Sequence, residues 1–241
     1  MKSEQTVQIS KILADELLKI NSNLKLEEQN HGRHILIKNQ NKLSQITIEE
    51  TGRYTIDFWR NGVCLASGGT ETVSEIAKAL DLWFSQDITA RLLCENFNFA
   101  KTDERATAFD ENREIEFQWN LLLKEDYWAL KEFFVLAFKD PVVGNLFPFI
   151  SLYTLCFSKC TGYPYDRSNL PYVTAKEFEV FAFQIGRSDK KEKLPTNEKE
   201  FVVVAYNGEY LGEGNALTAL KIVRENLPPD LKRARKGTSK D

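Results

Sequence analysis

Two cysteines, Cys156 and Cys160, stand four residues apart in a stretch where apolar residues alternate with small polar ones. On an extended strand they share a face about 13 Å apart, at ~3.3 Å per residue. That separation is too great for a disulfide. A zinc knuckle asks for two thiolates at the mouth of a tight turn and two further ligands. Small residues packed beneath a helix are therefore the favoured reading of the pair. Cys160 directly precedes a Thr161-Gly162 turn and is the weak candidate for a catalytic nucleophile, with Ser158, Lys159 and Asp166 near it in sequence. A nucleophilic thiol needs a base, and the two histidines, His31 and His34, lie far upstream.

The other chemistry-bearing residue types are equally sparse. His31 and His34 are spaced i, i+3 with no cysteine or carboxylate at ligand spacing, so a turn is expected there and no metal. The glycines at Gly68-Gly69 and Gly212–Gly214 match neither G-x-x-x-x-G-K-[ST] nor G-x-G-x-x-G, so backbone geometry, not phosphate binding, is expected of Gly68 and Gly214. Glu49/Glu50 and Glu114/Glu116 read as solvated acidic faces. No cofactor or metal is expected.

Binding residues are easier to nominate. Leu146 to Tyr165 combines an aromatic–proline entry (Phe147-Pro148), an alternating strand-like run and a turn carrying Tyr163 and Tyr165. Ser158 and Cys160, two apart, are placed on one face of the strand, and the turn is expected to bring the tyrosines back toward them. Tyrosines on a turn at a strand end offer rigid amphipathic contact area. Ser158, Cys160, Tyr163 and Tyr165 are the candidate binding site. The same segment, through Phe147, Pro148, Ser151, Leu155, Phe157, Ser158, Cys160, Thr161, Tyr163 and Pro164, resembles the F-P-x-x-S-x-x-x-L-x-F-S-x-C-T-x-[FY]-P pattern of an uncharacterised bacterial domain family, loosely described as natural-product-biosynthesis proteins. Trp59-Arg60-Asn61-Gly62, Ala66-Ser67-Gly68 and Trp119 are also similar to it, so that the resemblance spans about residues 50–230. It implies a label and no activity, cofactor or catalytic residue.

The elements that must position these residues include an internal repeat. Asn61 to Gly68 and Asn207 to Gly214 both read N-G-x-x-L-x-x-G, 146 residues apart. Each follows a strand-like run (Tyr54–Trp59, Phe201–Tyr206) and precedes a helix-like run (Thr72–Phe84, Ala216–Leu227). Asn-Gly between strands is a strong hairpin signal, since both residues tolerate positive φ. Periodicity adds a helix over 6–20, strands at His34–Lys38, Gln45–Glu49, Val63–Ser67 and Phe178–Ile185, a short helix over 87–98, helices from Ile115 and through Trp128 to Phe138, and a charged loop over Ser188–Lys199. Thr72 and Glu75 have capping-box spacing.

The expected fold is α+β, with two related antiparallel β-hairpin–helix units and further helices before and between them. The expected organisation is 1–100 (N-terminal helix, first β-unit and its helix), 101–145 (helical connector, with 102–113 as linker), 146–231 (second β-unit and helix) and 232–241 (basic disordered tail).

A net charge of −3 and a pI of 5.7 argue against a broad nucleic-acid surface. The N-terminus lacks a signal-peptide pattern, and no apolar run nears the ~20 residues of a membrane span, so a cytoplasmic protein without membrane contact is expected. Scarce histidine, missing cofactor fingerprints and aromatics on turns beside sheet edges favour a non-enzymatic binding protein. Its expected partner is a peptide or protein, in an accessory role in peptide natural-product processing or an immunity-like one. The alternative is a cysteine-dependent tailoring enzyme acting through Cys160.

Overall fold

Alternation of apolar and polar residues between 34 and 70 gives strands with one dry face. In the computed structural model, which describes residues 4–24, 28–31, 34–125, 127, 129–176 and 200–241, the chain divides into two compact units, Met1–Arg113 and Glu114–Asp241. Each unit carries one antiparallel sheet and its own helices, an α+β architecture.

The first unit opens with α1 (Glu4–Lys19) and continues with β1 (Glu28–His31), β2 (His34–Asn39), β3 (Lys42–Ile48), β4 (Tyr54–Arg60) and β5 (Val63–Thr70). Next come α2 (Val73–Ser85), α3 (Ala90–Asn96), β6 (Ala100–Lys101) and α4 (Glu104–Asp110). The six strands pair in sequence order as a meander. Ile35, Ile37, Ile46, Ile56 and Phe58 point from the sheet into a core with Leu13 of α1 and Ile76, Leu80 and Trp83 of α2. The C-terminal end of α2 receives a cation, since Lys42 Nζ donates to Trp83 O at 2.7 Å and Gln86 O at 2.8 Å, and just beyond the helix Arg60 donates to Ile88 O at 2.6 Å. Positive charge at a helix C-terminus complements its dipole.

The second unit contains α5 (Glu114–Lys124), α6 (Lys131–Lys139), a 3₁₀ turn (Val143–Asn145), β7 (Phe147–Ser151), β8 (Thr154–Ser158) and β9 (Tyr172–Ala175). It ends with β10 (Phe201–Val204), β11 (Tyr210–Gly214), α7 (Ala216–Glu225) and a C-terminal segment. The sheet order is β11-β10-β9-β8-β7. Trp119 of α5 sits at the centre of the core, stacked on Phe138 at 6.0 Å and within 6.4 Å of Phe134 and 6.3 Å of Phe157.

The repeated motif forms an antiparallel hairpin followed by a helix in both places: β4–β5–α2 and β10–β11–α7. The turns differ. Asn61 (φ 50°) and Gly62 (φ 74°) are both left-handed, a two-residue type I′ turn joining Arg60 to Val63. Of the second pair, Asn207 and Gly208, only Gly208 (φ 89°) is left-handed. Gly208 N donates to Ala205 O at 2.9 Å and Ala205 N to Glu209 O at 2.8 Å, so the loop is longer; both hairpins shift register near the turn, between Phe58 and Trp59 in the first and Val203 and Val204 in the second. Gly68 is fixed by close approach, since a Cβ there would lie 2.0 Å from the Phe99 carbonyl oxygen as β6 pairs with β5.

Several expectations are corrected. The alternation through residues 153–160 is not one strand. The chain reverses at Leu152 (φ 48°) and Tyr153 (φ 65°), and β8 stops at Ser158. Residues 101–145 are no independent connector: α4 carries Ala106 and Phe109 into the first core, while α5 and α6 build the second. Two apolar residues at i, i+3 inside a polar stretch are too short a signal for periodicity to detect. Thr72 is the N-cap of α2 without a capping box. Its hydroxyl donates to the Glu75 carboxylate at 3.0 Å, as does that of Thr70, and no amide of the helix is capped by it. The expected strand Phe178–Ile185, the loop Ser188–Lys199 and Trp128 lie outside the described residues, whereas β9 has no counterpart among the expected strands. Among the described residues no helix is long and apolar enough to cross a membrane.

Candidate functional site

Beyond β8 the chain enters a loop, residues 159–171, that returns to the sheet as β9. The loop is tied from within. Lys159 N donates to Asp166 O at 2.9 Å, and Ser158 Oγ both donates to Cys160 O at 2.7 Å and accepts from Cys160 N at 3.0 Å. Cys160 Sγ accepts from Asp166 N at 3.2 Å and lies 3.6 Å from Gly162 O. Ser158 and Cys160 have 0% exposure. They form the interior joint of the loop and offer no surface to a ligand.

The C-terminal segment seals this joint from outside. Arg235 N donates to Lys159 O at 2.9 Å, Thr161 N to Arg235 O at 3.0 Å, Gly162 N to Gly237 O at 2.8 Å and Ser239 N to Pro164 O at 2.8 Å. Cys160 and Arg235 thereby form a parallel bridge. The segment expected to be a disordered basic tail is thus a strap. Two of its charges form ion pairs: Arg233 meets Glu116 at 2.7 Å and Lys236 meets Glu114 at 3.4 Å, so these two glutamates of α5 are ion-pair partners and not a solvated face. Composition counted the charges but could not reveal that the two segments meet.

The tyrosines behave differently from each other. Tyr163 is 67% exposed. Tyr165 is half-buried, stacked on Phe149 with ring centroids 4.3 Å apart and 5.5 Å from Phe147. Tyr163 stands edge-on to Tyr165 at 5.7 Å, and the Tyr163–Pro164 peptide is cis. Arg167 extends the cluster: its guanidinium carbon lies 5.7 Å from the Phe149 ring centroid and 6.0 Å from that of Tyr172. The candidate residues therefore separate into a sealed pair, Ser158 and Cys160, and a surface pair, Tyr163 and Tyr165. Sequence reasoning missed Phe149, Arg167 and Tyr172. Their juxtaposition depends on strand register, Phe149 opposite Cys156 on β8 and Val173 opposite Leu155, which no local pattern encodes.

The electrostatics fit a structural loop. Ser168 donates to the Asp166 carboxylate through its amide (3.1 Å) and hydroxyl (2.6 Å), holding that carboxyl below its ordinary pKa. Burial raises the thiol pKa of Cys156, Cys94 and Cys64, the last to about 11, which works against thiolate formation. His34 Nδ1 of β2 is 2.9 Å from Thr47 Oγ1 of β3, and among the described residues no three His, Cys, Asp or Glu side chains are grouped to hold a metal.

A family of unknown function, DUF6193, matches residues 113–200. The match begins at the boundary between the two units and takes in α5, α6, β7, β8, the whole 159–171 loop and β9. No curated protein and no solved structure matches the chain.

Proposed function

We propose that this is a non-enzymatic binding protein that recognises a peptide or protein partner through the aromatic surface headed by Tyr163. The observation that carries the reading is the separation at the loop. An exposed tyrosine stands on a fixed aromatic base, while the thiol beneath it is closed off and hydrogen-bonded to backbone. A rigid aromatic already held in place loses little entropy when a partner covers it. The alternative, a tailoring enzyme using Cys160, requires a thiolate that substrate can reach, and the C-terminal strap stands in the way. The biological setting we favour is accessory work in peptide natural-product processing or an immunity-like interaction.

The test is a displayed library of random twelve-residue peptides panned against the immobilised full chain. Peptides recovered on the wild type should bind the Tyr163→Ala variant more weakly by about 1–3 kcal/mol, the range of an interface anchor. Because Tyr163 is mostly exposed, the variant's melting temperature should stay within a few degrees. Recovery of no peptide, or of peptides indifferent to Tyr163, overturns the reading.

A further inference from the structure

We infer that Arg167 is the receptor for a carboxylate on the partner, so that the surface selects a peptide carrying an acidic group close to an apolar or aromatic side chain. This rests on the reading that the Tyr163 surface binds a peptide.

Register places the platform. Phe149 on β7 pairs with Cys156 on β8, and Tyr172 on β9 is level with Cys156 because Leu155 pairs with Val173. The two rings therefore flank Cys156 on one face of the sheet, and Arg167 lies against both, 5.7 Å and 6.0 Å from their centroids. A guanidinium stacked on aromatic faces keeps its N–H edge available, in a fork that matches a carboxylate with two parallel hydrogen bonds. Among the described residues no carboxylate or carbonyl accepts from that edge. The neighbouring acid, Asp166, is engaged by Ser168.

The surroundings favour an anion. The 159–171 loop carries two cations, Lys159 and Arg167, against one carboxylate, Asp166, a local positive excess in a protein of net charge −3, while the strap's Arg235 and Asp241 lie beside each other at Gly237. Lys159 Nζ donates to the Ser168 hydroxyl at 3.1 Å, and Arg235 to Thr238 O at 2.8 Å. A single stacked arginine, as opposed to an arginine cluster, suits a carboxylate better than a phosphate. Ring contacts of 5.7 Å and 4.3 Å connect Tyr163 through Tyr165 to Phe149, the ring under Arg167. One short segment can therefore lay an apolar side chain on the tyrosines and a carboxylate on the arginine.

The library-derived peptides serve as probes, synthesised with each Asp or Glu changed to the amide and, separately, with an amidated C-terminus. The two series distinguish a side-chain from a terminal carboxylate. One of these changes should weaken binding to the wild type about 10–100-fold, the worth of a charged hydrogen bond. It should cause little further loss against Arg167→Gln, whose own affinity is already reduced. Arg167→Lys, which keeps charge and stem, should recover only part of the affinity and controls for any folding defect. Competition by millimolar inorganic phosphate with no effect of acetate overturns the inference in favour of a phosphate ligand. So does peptide binding that needs Tyr163 but ignores amidation, or amidation and Arg167→Gln losses that simply add; in both cases the peptide-binding reading stands. If no peptide depends on Tyr163, that reading falls and this inference with it.

Discussion

Replacing Cys160 by alanine separates a structural thiol from a working one. The side chain has 0% exposure, and its sulfur accepts from Asp166 N at 3.2 Å. Removing it forfeits burial of a group about the size of one methylene, ~0.8 kcal/mol. It also leaves the part-buried Asp166 amide without its acceptor, about 1–2 kcal/mol. The sum, about 2–3 kcal/mol, should lower the melting temperature by roughly 5–10 °C at this chain length. Cys160→Ser keeps a donor and an acceptor at that place, though with a shorter reach, and should fall between wild type and alanine. Urea titration followed by Trp fluorescence measures the loss, and thiol titration of the folded wild type measures access. Cys160 should stay unmodified until the loop opens, so its labelling rate should rise with urea in step with unfolding. A loss below about 0.5 kcal/mol for Cys160→Ala, or native labelling of Cys160 as fast as a free thiol, would refute the reasoning and return the cysteine enzyme to contention.

Three further outcomes are expected. Leu152 is left-handed and 91% exposed, so it bears a conformational cost with almost no burial in return; Leu152→Asn should stabilise the protein by about 1 kcal/mol in thermal melts, and a destabilised variant would show that Leu152 packs within the chain. Deleting residues 234–241 removes the strap and the Lys236–Glu114 pair, so it should make Cys160 accessible to a thiol reagent in native buffer; continued protection would mean that the loop seals itself. Glu75 accepts from the Thr70 and Thr72 hydroxyls, which hold its pKa below the ordinary 4.5. Its stabilising contribution is therefore complete above pH 4.5 and lost as pH falls below that value through the folded pKa; the melting-temperature gap between wild type and Glu75→Gln should close over that interval, and a gap unchanged between pH 7 and 3 would contradict this.

Much of the fold was legible because it rests on local signals. The alternation of Ile46, Ile48, Ile56 and Phe58 specifies strands with one dry face, the stripe from Ile76 to Phe84 specifies α2, and Asn61-Gly62 specifies a type I′ turn because both residues accept positive φ. Where local preference was weak, tertiary context decided. Leu152-Tyr153 turns the chain although neither residue favours the conformation, because Phe147–Ser151 pairs along its whole length with Thr154–Ser158. The second Asn-Gly sits in a longer loop, closed by Ala205 and Glu209, although its local sequence matches the first.

The candidate site divides along the same line. That Tyr163 and Tyr165 stand at the end of a strand followed from the turn residues around them. That Cys160 is interior, that the basic C-terminal segment is bound to the 159–164 loop, and that Arg167 rests between Phe149 and Tyr172 depended on chain segments meeting from distant parts of the sequence. Residue type limits what a side chain can do chemically; which groups reach solvent, and beside what neighbours, is fixed only when strands take their register and the far end of the chain closes over the loop.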